Sequence, residues 1–146
     1  MTVIAWDGRT LAADKRATTG GGIVRTVTKI ERHGDALLAI TGGWDVGAEM
    51  RAWWKAGAVP ADFPPKARED VSTLIVIRAG GRVETFSSGP YSMPFDAARC
   101  AFGSGRDFAE AAMYLGRTAE EAVRVACAFQ SDCGNGVDTL RLGGES

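Results

Sequence analysis

Short stretches of β-forming residues, separated by glycine-containing turns, fill most of this chain, and helical patterns are confined to three places. The order is four strands, a helix, two strands, a short strand, two helices and a last strand. Strands that come in runs, with the helices set apart from them, indicate an α+β layered fold and not a doubly wound parallel sheet. A chain of 146 residues can bury one hydrophobic core, so we expect a single domain over residues 1–146.

The first half predicts strands, one helix and one irregular connection. Asp7-Gly8 is a strong hairpin signal, and the strands are expected over Thr2–Trp6, Thr10–Thr18, Ile23–Glu31 and Ala36–Thr41. Apolar residues at helical spacing predict a helix from Gly43 to about Gly57. Val59–Asp70 contains three prolines, which deny helical hydrogen bonds, and predicts the irregular connection.

The second half predicts a hairpin, a short strand, two helices and a final strand. The second of these helices starts at a capping box, in which Thr118 and Glu121 satisfy free N–H groups. The expected ranges are Val71–Arg78, Arg82–Phe86, Ala98–Phe102, Phe108–Leu115, Thr118 to about Gln130, and Val137–Leu142.

The charge balance and the apolar runs exclude several classes of partner. The net charge of −1 provides no excess of basic residues for nucleic acid or for an acidic membrane surface. The apolar runs are far shorter than the about 18 residues that span a bilayer. Met1 and Thr2 lead straight into a strand pattern without a secretory signal, so we expect a cytoplasmic protein.

The cysteines and the single histidine exclude common catalytic and metal sites. Cys100, Cys127 and Cys133 form no CxxC motif, which favours packing over a disulfide framework or a zinc site. His33 lies in a turn-like stretch, where an exposed histidine is the better interpretation. A Ser-His-Asp or Cys-His enzyme is therefore nearly excluded, and no metal site is expected. Catalysis would need another base.

Thr2 offers such a base. Its small side chain permits removal of Met1, after which one residue would carry both a nucleophilic hydroxyl and a general base, its own α-amine. A free α-amine has a pKa of about 7.7 to 8.0, which is near working pH. Many ordinary proteins also begin with Met-Thr, so the case for a catalytic Thr2 depends on the motifs elsewhere in the sequence.

Five segments resemble, in order, those of the proteasome β-subunit family, and especially the bacterial HslV-type peptidases. They are Thr2-Val-Ile-Ala, Leu11-Ala-Ala-Asp14-Lys-Arg-Ala-Thr18, Val27-Thr-Lys29-Ile, Leu38-Ala-Ile-Thr-Gly-Gly43 and Gly103-Ser104-Gly105. The resemblance implies an αββα four-layer sandwich of the N-terminal-nucleophile (Ntn) hydrolases. The family's first helix pair is represented here by one helix and the proline-rich connection, so we expect a shortened outer helical layer.

The resemblance also implies a catalytic site. Thr2 would be the nucleophile, Lys29 the cation beside it, and Asp14 the carboxylate that holds the lysine. An ammonium brought under a sheet needs a carboxylate to stay charged, although Asp14 and Lys29 are also compatible with a purely structural ion pair. Thr18 would pair through its backbone with an extended peptide, which would bind as an added strand.

Two further positions follow from the resemblance. Ser104 would join the hydrogen-bond network around the amine, or would cap the helix that follows it. The oxyanion donor of the family, a backbone N–H at a glycine, aligns with Ala39, whose N–H remains a donor. The family commonly has an aspartate and a Ser or Thr at the positions of Gln130 and Cys133, and Asp132 would replace that aspartate only if the turn is rebuilt.

The function implied is that of a threonine peptidase without metal or organic cofactor. Its expected partners are a peptide or protein substrate, further copies of the chain and an ATP-dependent unfoldase. A catalytically inactive assembly subunit and a small-molecule amidase are the alternatives. We expect Trp44, Trp53 and Trp54 to be core residues, with contacts to a neighbouring subunit as the alternative.

Overall fold

The computed structural model describes residues 2–144, which form a mixed α and β architecture. The helices are α1 (Trp44–Lys55), α2 (Arg106–Tyr114) and α3 (Ala119–Phe129). The strands are β1 (Ile4–Trp6), β2 (Thr10–Asp14), β3 (Arg16–Thr18), β4 (Val24–Thr26), β5 (Ile30–His33), β6 (Ala36–Thr41), β7 (Thr73–Ile77), β8 (Val83–Phe86), β9 (Met93–Phe95), β10 (Cys100–Phe102) and β11 (Val137–Arg141).

The strands form two larger antiparallel sheets and one small ribbon. The first sheet has the order β10-β1-β2-β11, and the second has the order β5-β6-β7-β8-β9. Strands β3 and β4 pair only with each other within residues 2–144. Because β1 lies between β10 and β2, the start of the chain is fixed in the middle of the first sheet.

Three apolar clusters account for the packing. One lies between the two large sheets and is built mainly by branched side chains such as Ile4, Leu37 and Ile75. A second, rich in alanine, packs α2 and α3 on the first sheet. A third packs α1 on the second sheet through Met50 and Trp53. Alternate faces of each strand therefore contribute to different clusters, as the period-two pattern of the sequence requires.

Two predicted strands are each divided between two sheets. The Thr10–Thr18 stretch breaks at Lys15, whose N–H donates to the Gly134 carbonyl at 2.9 Å and whose carbonyl accepts from Val27 at 2.8 Å. The Ile23–Glu31 stretch is divided between β4 and β5. At Lys15, the backbone bond to Gly134, which is distant in sequence, thus ends β2, and the bond to Val27 leads the chain into the β3–β4 ribbon. Strand β9 was not predicted, and its Pro94 is tolerated because β9 is an edge strand.

The proline-rich connection contains two short 3-10 turns, Pro60–Asp62 and Pro65–Arg68, beside α1. Phe63 and Ala67 from this connection are buried against the second sheet. Trp53 is 6% exposed and is a core residue, as predicted, whereas Trp44 is 44% exposed and is not. Among residues 2–144, no helix has the length and apolar character of a membrane span.

Candidate active site

Strand pairing brings Thr2 and Ser104 together. Ile4 of β1 pairs with Phe102 of β10, so the two residues before β1, Thr2 and Val3, lie beside the residues that follow β10. The Thr2 N–H donates to Ser104 Oγ at 3.1 Å, and Ser104 Oγ donates to the Thr2 carbonyl at 3.4 Å. The same carbonyl accepts the Gly105 N–H at 3.1 Å. Ser104 therefore holds Thr2, and the N-cap of α2 is Gly105, without a side-chain cap.

The two glycines around Ser104 are required by close packing at Thr2. Gly103 has a φ of +95°, and a Cβ built on it would collide with the carbonyl group of Thr2. A Cβ on Gly105 would lie 2.8 Å from Cβ of Val3 and 3.2 Å from Sγ of Cys133. Both positions therefore need glycine for a physical reason.

Lys29 links the Thr2 hydroxyl to the Asp14 carboxylate. Its Nζ lies 2.8 Å from Thr2 Oγ1 and 2.7 Å from Asp14 Oδ1. The three residues are buried, with exposures of 6% for Thr2, 3% for Lys29 and 0% for Asp14. A buried ammonium and a buried carboxylate at this distance offset much of the cost of desolvating each other.

The Asp14 carboxylate accepts four hydrogen bonds from separate parts of the chain. Oδ1 accepts from Lys29 Nζ and from the Val3 N–H at 3.1 Å. Oδ2 accepts from the N–H groups of Arg16 at 3.2 Å and Gly134 at 3.1 Å. These four donors hold the Asp14 carboxylate in one position opposite Lys29.

The loop that supplies Gly134 is braced by Arg16, which sequence reasoning did not select. Arg16 donates to the Ser131 carbonyl at 2.8 Å and to Asn135 Oδ1 at 3.1 Å. Asn135, at a φ of +65°, donates in turn to Thr26 Oγ1 at 3.1 Å. The Gly134-Asn135-Gly136 segment is the sequence signal that a special backbone conformation is needed there.

A pocket of about 380 Å³ opens beside Thr2 and Lys29. Thr18, at the end of β3, lies on its wall, as do Arg16 and Ala17. The rest of the lining comes from the end of β6 and the start of α1, through Ile40, Gly42, Gly43 and Trp44. The first N–H groups of a helix have no intrahelical acceptor, so the N-terminal end of α1 presents a partial positive charge to this pocket.

Ala39 is not brought to this pocket. It lies in the middle of β6, between Ile30 of β5 and Ile75 of β7, and is 1% exposed. Because both neighbours of β6 are paired strands, the Ala39 N–H faces a ladder partner and not an open site. The structure therefore does not support Ala39 as the oxyanion donor, and the backbone that reaches the pocket belongs to Gly42 and Gly43.

Cys133 lies next to the site but is not a reactive thiol. It is 2% exposed, and burial, followed by the charge of Asp14, raises the pKa of its thiol to about 11. A neutral thiol is a poor nucleophile. Gln130 is the C-cap of α3, and its carbonyl accepts the Cys133 N–H at 3.1 Å. The turn that contains Asp132 thus packs Cys133 inward and presents the Gly134 N–H to Asp14.

The rest of the predicted site chemistry concerns Met1 and metals. Met1 lies outside the described residues. Within residues 2–144, no cluster of three or more His, Cys, Asp or Glu side chains has the arrangement of a metal site. His33 is exposed at the end of β5, with its ring 6.0 Å from that of Trp54, and takes no part in the site.

Comparisons with known proteins identify the fold. No family model matches the chain, and no curated protein matches it. Eukaryotic HslV from Trypanosoma brucei is 19% identical, with 96% of this chain and 97% of that chain covered at a TM-score of 0.72. BPH from Thiobacillus denitrificans, in complex with epoxomicin, is 20% identical, with coverages of 99% and 100% and a TM-score of 0.71.

A third structure agrees with these two. The Gly-1 mutant of Anbu from Hyphomicrobium sp. strain MC1 is 11% identical, with 97% of this chain and 81% of that chain covered at a TM-score of 0.73. The resemblance predicted from the sequence is thereby confirmed at the level of the fold: the chain has the fold of HslV and of the Thiobacillus BPH.

Proposed function

We propose that the chain is an Ntn hydrolase that cleaves peptide bonds with Thr2 as its nucleophile after removal of Met1. The observation that carries the proposal is the contact between Lys29 Nζ and Thr2 Oγ1 at 2.8 Å, in a buried position beside an open pocket. A threonine hydroxyl is otherwise a weak nucleophile, and a cation at hydrogen-bond distance favours its ionised form.

The reaction begins when Thr2 Oγ attacks the carbonyl carbon of the substrate and its proton passes to the α-amine of Thr2. The C–N bond then breaks, and the ammonium returns the proton to the leaving nitrogen. The product of this step is an ester on Thr2. Water attacks the ester and gives a proton to the same amine, which passes it to Oγ as the ester bond breaks. The amine thus ends the cycle unprotonated, ready for the next substrate.

Three groups of this chain assist these steps. The Lys29 charge disfavours a second positive charge on the nearby amine, which keeps the amine available as a base. Ser104 Oγ, which contacts the Thr2 nitrogen at 3.1 Å, orients that nitrogen. The backbone N–H groups of Gly42 and Trp44, and not that of Ala39, would stabilise the oxyanion, because these two residues line the pocket at the positive end of α1.

The substrate is proposed to be a peptide in extended conformation. Strand β3 pairs with β4 through Thr18 and Val24, and its other edge has no strand partner within residues 2–144. A peptide added there would run past Thr2. The side chains of Ala17, Ile40 and Trp44 on the pocket wall favour an apolar substrate side chain next to the cleaved bond.

The arrangement of the whole chain is compatible with this proposal. The three apolar clusters support one domain with an αββα four-layer order, in which α1 and the 3-10 turns form the shortened outer layer. A homo-oligomer in the cytoplasm, supplied with protein substrates by an ATP-dependent unfoldase, remains the expectation of the resemblance. Light scattering measures the oligomeric state.

The test combines mass spectrometry with labelling by epoxomicin, the ligand in the BPH structure. An epoxyketone reacts with both a hydroxyl and an adjacent amine, so it reports Thr2 only when Met1 has been removed. We expect a protein that starts at Thr2 and is labelled there, and we expect Thr2→Ala to lose both labelling and peptide cleavage. Thr2→Ser, which keeps the hydroxyl, should retain labelling.

Other outcomes identify the alternatives. A natively processed protein that keeps Met1 has an amide in place of the base, which contradicts the mechanism and favours an inactive assembly subunit. A Thr2-labelled protein that cleaves small amides but no peptides would instead be an amidase. Cleavage by Thr2→Ala equal to that of the wild type would locate the chemistry elsewhere.

A further inference from the structure

A buried serine lies directly behind the pocket backbone. Ser72 precedes β7, and Thr73, the first residue of β7, pairs with Thr41, the last residue of β6. Ser72 therefore lies beside the turn that follows β6, and it is 1% exposed. A hydroxyl this buried needs partners inside the protein.

Both hydrogen-bonding functions of this hydroxyl are used by one residue, Gly43. The Gly43 N–H donates to Ser72 Oγ at 2.9 Å, and Ser72 Oγ donates to the Gly43 carbonyl at 3.3 Å. Gly43 is the N-cap of α1, and it has no side chain to provide a cap. Its carbonyl also accepts the first helical bond, from Gly47 at 2.9 Å. Ser72, which directly precedes β7, thus binds both backbone polar groups of the N-cap residue.

The turn is fitted tightly against Ser72. Gly42 has a φ of +93°, and a Cβ built on it would lie 2.7 Å from Cα of Ser72 and 2.8 Å from the Val71 carbonyl oxygen. A Cβ on Gly43 would lie 3.2 Å from Oδ2 of Asp70. The Gly-Gly turn therefore has one position relative to Ser72, and the hydroxyl fixes it there.

The front of the same turn lines the pocket that contains Thr2 and Lys29. On the basis of the proposed function, we infer that Ser72 is a positioning residue for the reaction. It acts through Gly43, whose own N–H is taken up by Ser72 Oγ, and its bonds hold the neighbouring N–H groups of Gly42 and Trp44 at the place where the oxyanion would form. Ser72 itself is behind the turn and does not contact the substrate.

This role predicts a specific kinetic effect of Ser72→Ala. A donor displaced from its position loses stabilisation of the transition state, while binding of the substrate in its ground state changes little. We expect kcat, counted per site titrated with epoxomicin, to fall by about tenfold to a hundredfold, with KM within about twofold. A peptide boronate, which binds as a tetrahedral adduct, should lose affinity by the same factor as kcat/KM.

Two further variants control for folding. Ser87→Ala removes the hydroxyl whose Oγ lies 3.4 Å from Thr73 Oγ1. It therefore changes a contact of Thr73, the residue next to Ser72, and leaves the bonds to Gly43 unchanged. It should keep the wild-type kcat. Ser72→Thr keeps a hydroxyl at the position and should recover most of the lost rate in the fraction that folds. If Ser72→Ala lowers only the number of titratable sites, with kcat per site unchanged, the positioning role is overturned.

Amide hydrogen exchange separates this inference from the proposed function. If the wild type neither cleaves peptides nor reacts with epoxomicin, the proposed function fails, and the exchange rate of the Gly43 N–H still tests the anchor. The rate should rise by up to about tenfold in Ser72→Ala, the value of one hydrogen bond, and not in Ser87→Ala. Equal rates in the two variants overturn the anchoring of Gly43 by Ser72.

Discussion

Nζ of Lys29 lies 2.7 Å from Oδ1 of Asp14, with side-chain exposures of 4% and 0%. An ion pair of the same length, between Lys15 and Asp138, has side chains that are 23% and 32% exposed. The two pairs have the same chemistry and distance and differ in burial. They therefore provide a matched comparison of what burial contributes, within one protein.

Lys29→Ala should lower both the stability and the rate, whereas Lys15→Ala should leave both nearly unchanged. Removing Lys29 leaves the buried Asp14 carboxylate without its counter-ion, which costs about 3 to 5 kcal/mol in the free energy of unfolding. Loss of an exposed pair costs at most about 1 kcal/mol. Urea denaturation and peptide cleavage measure the two effects. Cleavage at the wild-type rate by folded Lys29→Ala would contradict the electrostatic role.

Gly103→Ala should lower the thermal stability and the epoxomicin labelling more than Gly80→Ala does, although both glycines have a positive φ. Gly80 has open space around it, so alanine there costs about 1 to 2 kcal/mol for the backbone conformation alone. At Gly103 the new methyl group also displaces the Thr2 carbonyl. Thermal unfolding and epoxomicin labelling should both distinguish them, with labelling lost only in Gly103→Ala. Equal effects of the two substitutions would mean that Thr2 does not depend on this contact.

Ser104→Ala should lower kcat by about tenfold, the value of one lost orienting hydrogen bond, with a small change in stability. The reason is that Ser104 contacts the nitrogen and the carbonyl of Thr2 but does not cap α2. Ser131→Ala is a suitable control, since only the backbone carbonyl of Ser131 binds Arg16. A variant with normal kcat but a lowered melting temperature would assign Ser104 a structural role instead.

Trp44→Ala should raise KM for peptides with a large apolar side chain at the cleaved bond, by about tenfold. Trp44 lines the pocket and is 44% exposed, so its removal should cost little stability. Trp54→Ala changes the same residue type on the same helix, where the ring contacts His33 and Arg78 away from the pocket. It should reduce stability and leave KM unchanged. A common effect on KM would show that α1 as a whole, and not Trp44, sets the preference.

The free energy of unfolding should fall as the pH rises from about 9 towards 11, and Cys133 should contribute to this fall. Burial raises the pKa of its thiol from 9.0 to about 11 in the folded protein. Between these values the thiol ionises in the unfolded chain but not in the folded one, so the unfolded state gains stability as the pH increases. Denaturation of wild type and Cys133→Ala at pH 8 and pH 10.5 measures this difference, and parallel pH dependences would contradict it.

Local signals predicted the helices well. The capping box at Thr118 and Glu121 is present as expected, and α3 ends at Phe129, next to the predicted end. Strand lengths were predicted less well, because partners distant in sequence determine them. The break at Lys15 depends on Gly134 and Val27, and no property of the Thr10–Thr18 stretch itself reveals these partners.

The residues of the candidate site also differ in whether the sequence alone could predict them. Thr2, Asp14, Lys29 and Ser104 were selected from ordered motifs, and the structure brings them together. Ala39 was selected because it aligns with the family's oxyanion glycine, but the pairing of β6 with two neighbours extends that strand to Thr41 and keeps Ala39 inside it. Ser72 was not selected, because a single serine before a strand gives no signal until the turn beside it is known.

The four donors to Asp14 also determine when the site can form during synthesis. Val3, Arg16 and Lys29 are close to Asp14 in sequence, but the fourth donor, Gly134, is synthesised 120 residues after it. A nascent or truncated chain therefore cannot arrange the aspartate fully. The chemistry proposed for Thr2 is thereby delayed until the loop that contains Gly134 has been made and has folded back onto β2.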